Sequence, residues 1–345
     1  MRGEKIQFLL LWLVPVLFLL SCNLGDRKVY PAFYHWKSQF ALEAAQQSYL
    51  ESLKAETLYI RFFDVDWNIP KNEPVPISSV SIDTTGLRGR QVIPTVYITN
   101  RAMANISYED VPALGEKILH RIEKIAGSLP FQEIQMDCDW SEKSRDNYFR
   151  LLDHLRTRLV SRQIQLSATI RLHQIKYYNI TGVPPVDRGM LMFYNMGDIR
   201  DMAEENSILN LKTAEKYLEN FDEYPVHLDI ALPVFSWGVV MRNDETIHLI
   251  NSLRAEQLKD ETRFKFLQPQ IVKVIKSTYI NGYYLYQDDF IRLEGVSMGA
   301  LEESAEMLAE LIEDDSLRVC FYHLDTPTME RYTFEDLEGI CKVFY

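Results

Sequence analysis

The sequence predicts an α/β fold, a (β/α)8 TIM barrel with a hairpin-containing insertion after strand seven. Three observations lead there. From Lys28 onward eight short β-rich runs alternate with amphipathic helical patterns, and no Pro/Gly/Ser-rich linker divides them. The chain has 345 residues, 47% hydrophobic and 12% aromatic, which suits one large α/β domain or two small ones. Eight strands with helices between them favour a closed barrel. The rival is a doubly wound open sheet, but no GxGxxG follows the first strand.

The strand-like runs span residues 29–36, 58–67, 92–99, 133–140, 165–173, 190–195, 226–232 and 319–325. Helical periodicity fills 42–53, 111–125, 144–159, 213–221 and 301–312, and 334–343 closes the series. The barrel domain is expected over 28–345, with the insertion at about 239–295. Within the insertion, Gly282-Tyr283-Tyr284-Leu285-Tyr286 and Phe290-Ile291-Arg292-Leu293, separated by Gln287-Asp288-Asp289, are predicted to pair as a hairpin above the barrel mouth.

Composition excludes several functions. The formal net charge is −12, and no basic run or Arg/Lys-rich helix supplies the phosphate-neutralising footprint that nucleic-acid binders need. Cys138, Cys320 and Cys341 show no CxxC or Cys/His spacing and read as buried small hydrophobes. His35, His173, His227 and His323 are dispersed singly, without HxH or HExxH, so no metal is expected. No GxSxG and no Gly-rich phosphate cradle is present, and no cofactor is expected.

Residues two apart in a strand share a face, so polar pairs at that spacing can be assigned to one rim. Five strands carry them: Asp64 with Asp66, Asp137 with Asp139, Arg171 with His173, His227 with Asp229, and His323 with Asp325. One or two such pairs would simply cap helices or pair with each other. Five converging on the C-terminal rim of a barrel predict a site, because burying that many charges is costly without a function. Carboxylates with Tyr97, Tyr194 and aromatic platforms suit a sugar, the carboxylates as acid, base or nucleophile and the rings as flat apolar faces. Trp67 and Trp140 lie on the strand face opposite the Asp pairs and are expected to pack outward. Trp237, just beyond strand seven, is the platform candidate.

The first twenty-two residues combine Arg2 and Lys5 with an apolar run and a small residue before a cysteine, which predicts an export signal over 1–21. Leu19-Leu20-Ser21-Cys22 resembles the bacterial lipobox. That resemblance implies lipid (palmitate) attachment at Cys22, a short tether over 22–27 and a place in the bacterial cell envelope. Asn23 after the cysteine points to the outer membrane.

The run Ile134-Gln135-Met136-Asp137-Cys138-Asp139-Trp140 resembles the fourth-strand D-x-D-W-E motif of chitinase-like glycoside hydrolases, and Met192-Phe193-Tyr194-Asn195 is similar to their sixth-strand Met-x-Tyr-Asp. With Phe33-Tyr34-His35-Trp36 and Phe62-Phe63-Asp64-Val65-Asp66, the mature chain looks more like an uncharacterised bacterial barrel family, glycosidase-like by shape. The resemblance implies a carbohydrate ligand at the C-terminal barrel face. Ser141 stands where the motif has the acidic Glu, and Asn195 where it has Asp. Glu142 is one residue out of phase.

Two functions follow. The first is a membrane-anchored glycoside hydrolase acting on a poly- or oligosaccharide. Asp139 would be proton donor, Asp137 its electrostatic partner and Asp64 or Asp66 base or nucleophile. Arg171 would restrain a carboxylate, Tyr194 and His173 would orient substrate, and Tyr97, Asn195, Asp229, Trp237, His323 and Asp325 would line the subsite. The second is a non-catalytic glycan-binding lipoprotein that has lost the acid.

Overall fold

The computed structural model describes residues 27–345. The expected leader, Cys22 and all of the expected tether except Arg27 lie outside the described residues.

Eight parallel strands close on themselves: β1 (Lys28–His35), β2 (Thr57–Asn68), β3 (Gln91–Ile98), β4 (Glu133–Asp137), β5 (Gln165–Arg171), β6 (Arg188–Met192), β7 (Leu228–Pro233) and β8 (Ser316–Tyr322). Each pairs with its neighbour in chain order, and closure comes from β1, which pairs with both β8 (Lys28↔Ser316) and β2 (Ala32↔Thr57). The strands read as nearly continuous apolar runs because both faces are covered, one by the barrel interior and one by helices. Helix Val111–Ala126 shows the second half of that rule: Val111, Leu114, Ile118, Ile122 and Ala126 are buried at three- to four-residue spacing, and Gly127 at φ +57° ends it.

Among the helices predicted, 213–221 is cut short. Regular helix covers only Leu211–Glu215, begun by Asn210 accepting from the Thr213 N–H. Successive turns with bonds three residues back then carry the chain on (Leu218 to Glu215, Phe221 to Leu218, Tyr224 to Phe221). Leu218, Phe221 and Tyr224 are buried at steps of three, the period of that tighter winding.

The barrel interior is polar at its N-terminal end. Arg318 donates to Glu133 at 2.6 Å and to the Tyr59 hydroxyl at 2.9 Å, while Arg188 lies 2.8 Å from Asp229. Above this tier, Tyr34 donates to Gln135 at 2.6 Å and packs on Tyr59 with ring centres 4.9 Å apart. These rings fill the lumen, so the barrel is a packed core rather than a pore. Arg27 donates to the carbonyls of Ile312, Asp314 and Phe344, pinning the start of the described chain at the N-terminal end, opposite the mouth.

After β7 the chain forms a five-stranded antiparallel sheet, in spatial order Glu245–Asn251, Ser236–Arg242, Phe290–Gly295, Ile271–Val274 and Phe264–Gln268. It has its own apolar cluster, including Val240, Ile250, Phe264, Val272, Leu285 and Ile291. The predicted pairing of 282–286 with 290–293 does not occur. Tyr283–Leu285 pairs instead with Thr278–Ile280, and Phe290–Gly295 with Ser236–Arg242 and Ile271–Val274. Asn281-Gly282, both at positive φ, form the two-residue turn that sets this register, whereas Asp289 is wholly buried and ion-paired to Arg242.

The insertion is fixed to the barrel by a buried ion pair. Arg292 donates to Glu294 at 2.5 Å and to the carbonyls of Asp201 and Ile199, and Glu294 accepts from the Ser207 N–H, the Ser207 hydroxyl and the Trp237 indole. Both residues are almost fully buried. Removing one partner strands a charge in a low dielectric, so Glu294→Ala should lower the unfolding free energy by about 3–5 kcal/mol in urea titration. Near-wild-type stability of the single variant would contradict this role.

Candidate functional site at the barrel mouth

A cleft of about 560 Å³ opens at the C-terminal ends of the strands. Asp64, Tyr97, Asp137, Asp139, Arg171, Tyr194, Asn195, Trp237, His323 and Asp325 line it. Arg61, Trp36, Lys37, Phe235 and Tyr322 also line it, with Ser236, Asn251, Ser252 and Pro327.

Two of the three central carboxylates are held by arginines. Arg171 donates through Nε to Asp139 at 2.5 Å and through Nη2 at 3.3 Å, and its guanidinium lies 5.6 Å from the centre of the Tyr194 ring. Arg61 grips Asp64 with two nitrogens and sits 5.6 Å from the Trp36 ring. Arg61 was not among the predicted site residues, because in a regular strand positions 61 and 64 face opposite ways. A β-bulge between Arg61 and Phe63 shifts the phase and turns both into the mouth.

Asp137 has no cationic partner. It is 5% exposed, and its Oδ1 accepts from the Thr169 hydroxyl at 2.7 Å. Burial, and then the neighbouring Asp139 charge, push its carboxyl from the ordinary 3.8 to about 6, against the pull of Arg171. Of the two expected partners, Asp139, the expected proton donor, is the one bound to a guanidinium, and Asp137 is the one whose proton affinity is raised. Burial likewise raises the Tyr97 hydroxyl to about 12, so it is a neutral donor at the wall.

Several expected members lie elsewhere or serve structure. Asp66 points out of the cleft, bonded to Arg101 at 2.5 Å and to the Thr99 hydroxyl at 2.7 Å. The Arg101 bond, first of all, holds its pKa below the usual value. His173 is not on β5, which ends at Arg171; there the Gln174 side chain accepts the Arg171 N–H and starts helix Leu172–Lys176. His173 lines a side pocket of about 330 Å³ with Asp139, Arg171, Tyr194, Asn195, Met196 and Tyr217. Asp229 is at the wrong end of the barrel for substrate, because β7 begins at Leu228 and puts it among Arg188 and Arg318. Its neighbour His227 is held above its usual pKa by the Asp229 bond. Asp325 lines the cleft but also caps helix Thr326–Arg331, accepting the Thr328 N–H at 2.9 Å.

Aromatic rings surround the charges. The Tyr322 ring centre lies 5.3 Å from Tyr194 and 5.7 Å from both Phe235 and Trp36, and Phe235 lies 5.2 Å from Trp237. Tyr322 and Phe235 were not predicted; only their position at the ends of β8 and β7 could have flagged them. Trp237 is steered by its N–H to Glu294 at 2.9 Å. Trp140 packs outward, stacked on Tyr148 with its N–H on the Thr181 carbonyl. His323 is depressed below its usual pKa by burial and is neutral beside Asp325.

Ser141 donates through its hydroxyl to Asn100 at 3.3 Å and through its N–H to Ser144 at 2.9 Å, committing it to the turn before helix Arg145–Val160. Neither Ser141 nor the exposed Glu142 lines the cleft. Among the described residues no three His, Cys, Asp or Glu side chains cluster to hold a metal ion, and no helix is long and apolar enough to cross a membrane.

No family model matches the chain, and no curated protein matches it. Solved structures do. The spore cortex-lytic enzyme SleL of Bacillus megaterium QM B1551 superposes with a TM-score of 0.58 at 12% identity, over 93% of this chain and 75% of that one. A chitinase from Chromobacterium violaceum ATCC 12472 gives 0.56 at 11% identity over 90% and 98% of the two chains. The GH18 chitinase ChiB from the chitin utilization locus of Flavobacterium johnsoniae gives 0.53 at 14% identity over 92% and 94%. At these identities the likeness shows a shared fold alone, the (β/α)8 barrel.

The Asp137 carboxyl makes a prediction whose sign follows from linkage. A folded pKa raised above the unfolded value contributes stability that is fully present below about 3.8 and lost as the pH rises through about 6. Asp137→Asn keeps an acceptor for Thr169 and removes the penalty. Urea titrations should find the variant more stable than wild type at pH 7.5 by roughly 1–3 kcal/mol, with the gap closing below about pH 4. An equal or weaker variant at pH 7.5 would refute the burial of an unpaired carboxylate there.

Proposed function

We propose that this chain binds a poly- or oligosaccharide at the barrel mouth without hydrolysing it. The observation that carries this is the pairing of Asp139 with Arg171 and of Asp64 with Arg61, beneath a rim of Trp36, Tyr194, Phe235, Trp237 and Tyr322. Glycosidase chemistry needs one carboxylic acid to protonate the leaving oxygen and, except where the substrate's own amide attacks, a second, free carboxylate to act as base or nucleophile. Here two carboxylates are held by guanidinium groups, and Ser141 stands where the chitinase-like motif carries its acid. Rings with polar edges still offer what a sugar needs, apolar faces for stacking and hydroxyl or indole donors around them.

One observation favours hydrolysis instead: Asp137, at about 6, can keep a proton near neutrality. The two readings separate in one experiment. The full-length protein is incubated with chitin oligosaccharides and peptidoglycan fragments, with products read by mass spectrometry and affinity by calorimetry, beside Trp237→Ala and Asp137→Asn. Binding reads as saturable heat, weakened at least tenfold by Trp237→Ala, with no cleavage. Product formation abolished by Asp137→Asn would establish the hydrolase.

The chain is further proposed to be tethered through a lipid on Cys22 in the bacterial envelope, at the outer membrane. Arg27 is docked at the N-terminal end of the barrel, and five residue steps from Cys22 reach at most about 18 Å. Such a tether would hold that end against the lipid surface and turn the mouth away from it. Labelling with an alkyne fatty acid should be lost in Cys22→Ser; labelling that persists would remove the anchor from this reading.

A further inference from the structure

The small hairpin Thr278–Ile280/Tyr283–Leu285 divides its side chains by strand alternation. Leu285 is buried in the insertion's apolar cluster with Ile280 packed against it, and Tyr283 lies 5.3 Å from His248. The opposite face carries Tyr279, Tyr284 and, two positions on, Tyr286. Tyr279 and Tyr284 are directly paired across the strands, and ring centres run 4.8 Å from Tyr279 to Tyr284 and 4.8 Å from Tyr284 to Tyr286. All three are exposed, Tyr279 to 69%. A water-facing surface of three neighbouring tyrosine rings is not demanded by folding, since all three stay exposed.

A groove leads from the mouth toward the turn of the hairpin that carries this strip. The cleft shares Ser236, Ser252 and Pro327 with a groove of about 560 Å³ that runs between the insertion and helix Thr326–Arg331. Ala255 and Glu256 line the far end of that groove, and they belong to the 3₁₀ turn Ala255–Leu258, whose Gln257 donates to Asn281 in the hairpin's turn at 3.1 Å. We infer that the tyrosine strip is a second glycan-binding surface that holds a distant stretch of the same polymer whose other part enters the mouth. The occupant is therefore a long polysaccharide chain; the inference rests on the carbohydrate reading of the cleft.

Chemistry selects this occupant. The one cation stacked on these rings, Arg242, lies 4.3 Å from the Tyr286 ring centre and is already paired with the buried Asp289. An anionic lipid surface or a nucleic acid would require basic residues beside the rings. Tyrosine supplies an apolar face and a hydroxyl at low entropic cost, the combination that stacks on one sugar and bonds the next.

The test compares polymer with oligomer. Sedimentation of the full-length protein with peptidoglycan sacculi and with colloidal chitin is measured beside calorimetry with a short chitin oligosaccharide, for wild type, Tyr279→Ala/Tyr284→Ala/Tyr286→Ala, the triple Phe variant and Trp237→Ala. The alanine variant should lose at least tenfold in affinity for one of the polymers while its oligosaccharide affinity stays within twofold and its melting temperature is unchanged. The Phe variant should retain most polymer binding. Polymer binding unchanged by the alanine variant overturns the strip, even if Trp237-dependent oligosaccharide binding upholds the mouth. Tyrosine-dependent polymer binding with no oligosaccharide binding upholds the strip and overturns the mouth. Tyrosine-dependent sedimentation with phosphatidylethanolamine/phosphatidylglycerol vesicles instead of polymer would make the strip a membrane surface and overturn the proposal.

Discussion

The constraint on which the mouth depends is that carboxylates gathered in a low-dielectric space cannot all remain charged and alone. Asp64, Asp137 and Asp139 share one cleft, and the protein eases their crowding by two means. Arg61 and Arg171 neutralise the outer two, and the third takes up a proton more readily, its carboxyl raised to about 6. The arginines in turn lie against Trp36 and Tyr194, so the charge pairs and the aromatic rim form one packed unit. Moving any of the three carboxylates would disturb the rings that a ligand meets.

That unit leaves a cleft with little net charge and many ring faces, in a chain whose overall charge is −12. Such a surface suits a neutral, hydroxyl-rich ligand better than an anion. Its walls come from two sources: the strand ends of the barrel, and an inserted sheet anchored by the Arg292–Glu294 pair, which also orients Trp237. The packed rings of Tyr34 and Tyr59 lie beneath and limit the depth of the cleft.

The barrel was legible because its signal is local: β-rich runs of the right length, alternating with helices whose buried faces repeat every three to four residues. The place of Asp137 and Asp139 in the cleft was legible for the same reason, both standing two apart at a strand end. What escaped was what strands do not encode locally. Alternation gives the face of a residue but not its height, so Asp229 was placed at the mouth although β7 begins only one residue before it. A single bulge near Phe62 brought in Arg61, which no regular phase would predict. His173 fell off its strand because Gln174 starts a helix there. The pairing of Trp237 with Glu294, 57 residues away, exists only in the tertiary fold.

The direct test of the neutralised mouth is a carbon-13 NMR titration of the Asp137 side-chain carboxyl in the intact protein, with and without a saturating neutral chitin oligosaccharide. A midpoint near 6 that shifts when the sugar is added would place an uncharged carboxyl against the ligand, as the cleft geometry requires. A midpoint below 4, or one that the sugar leaves unmoved, would contradict both the buried unpaired acid and its contact with the ligand.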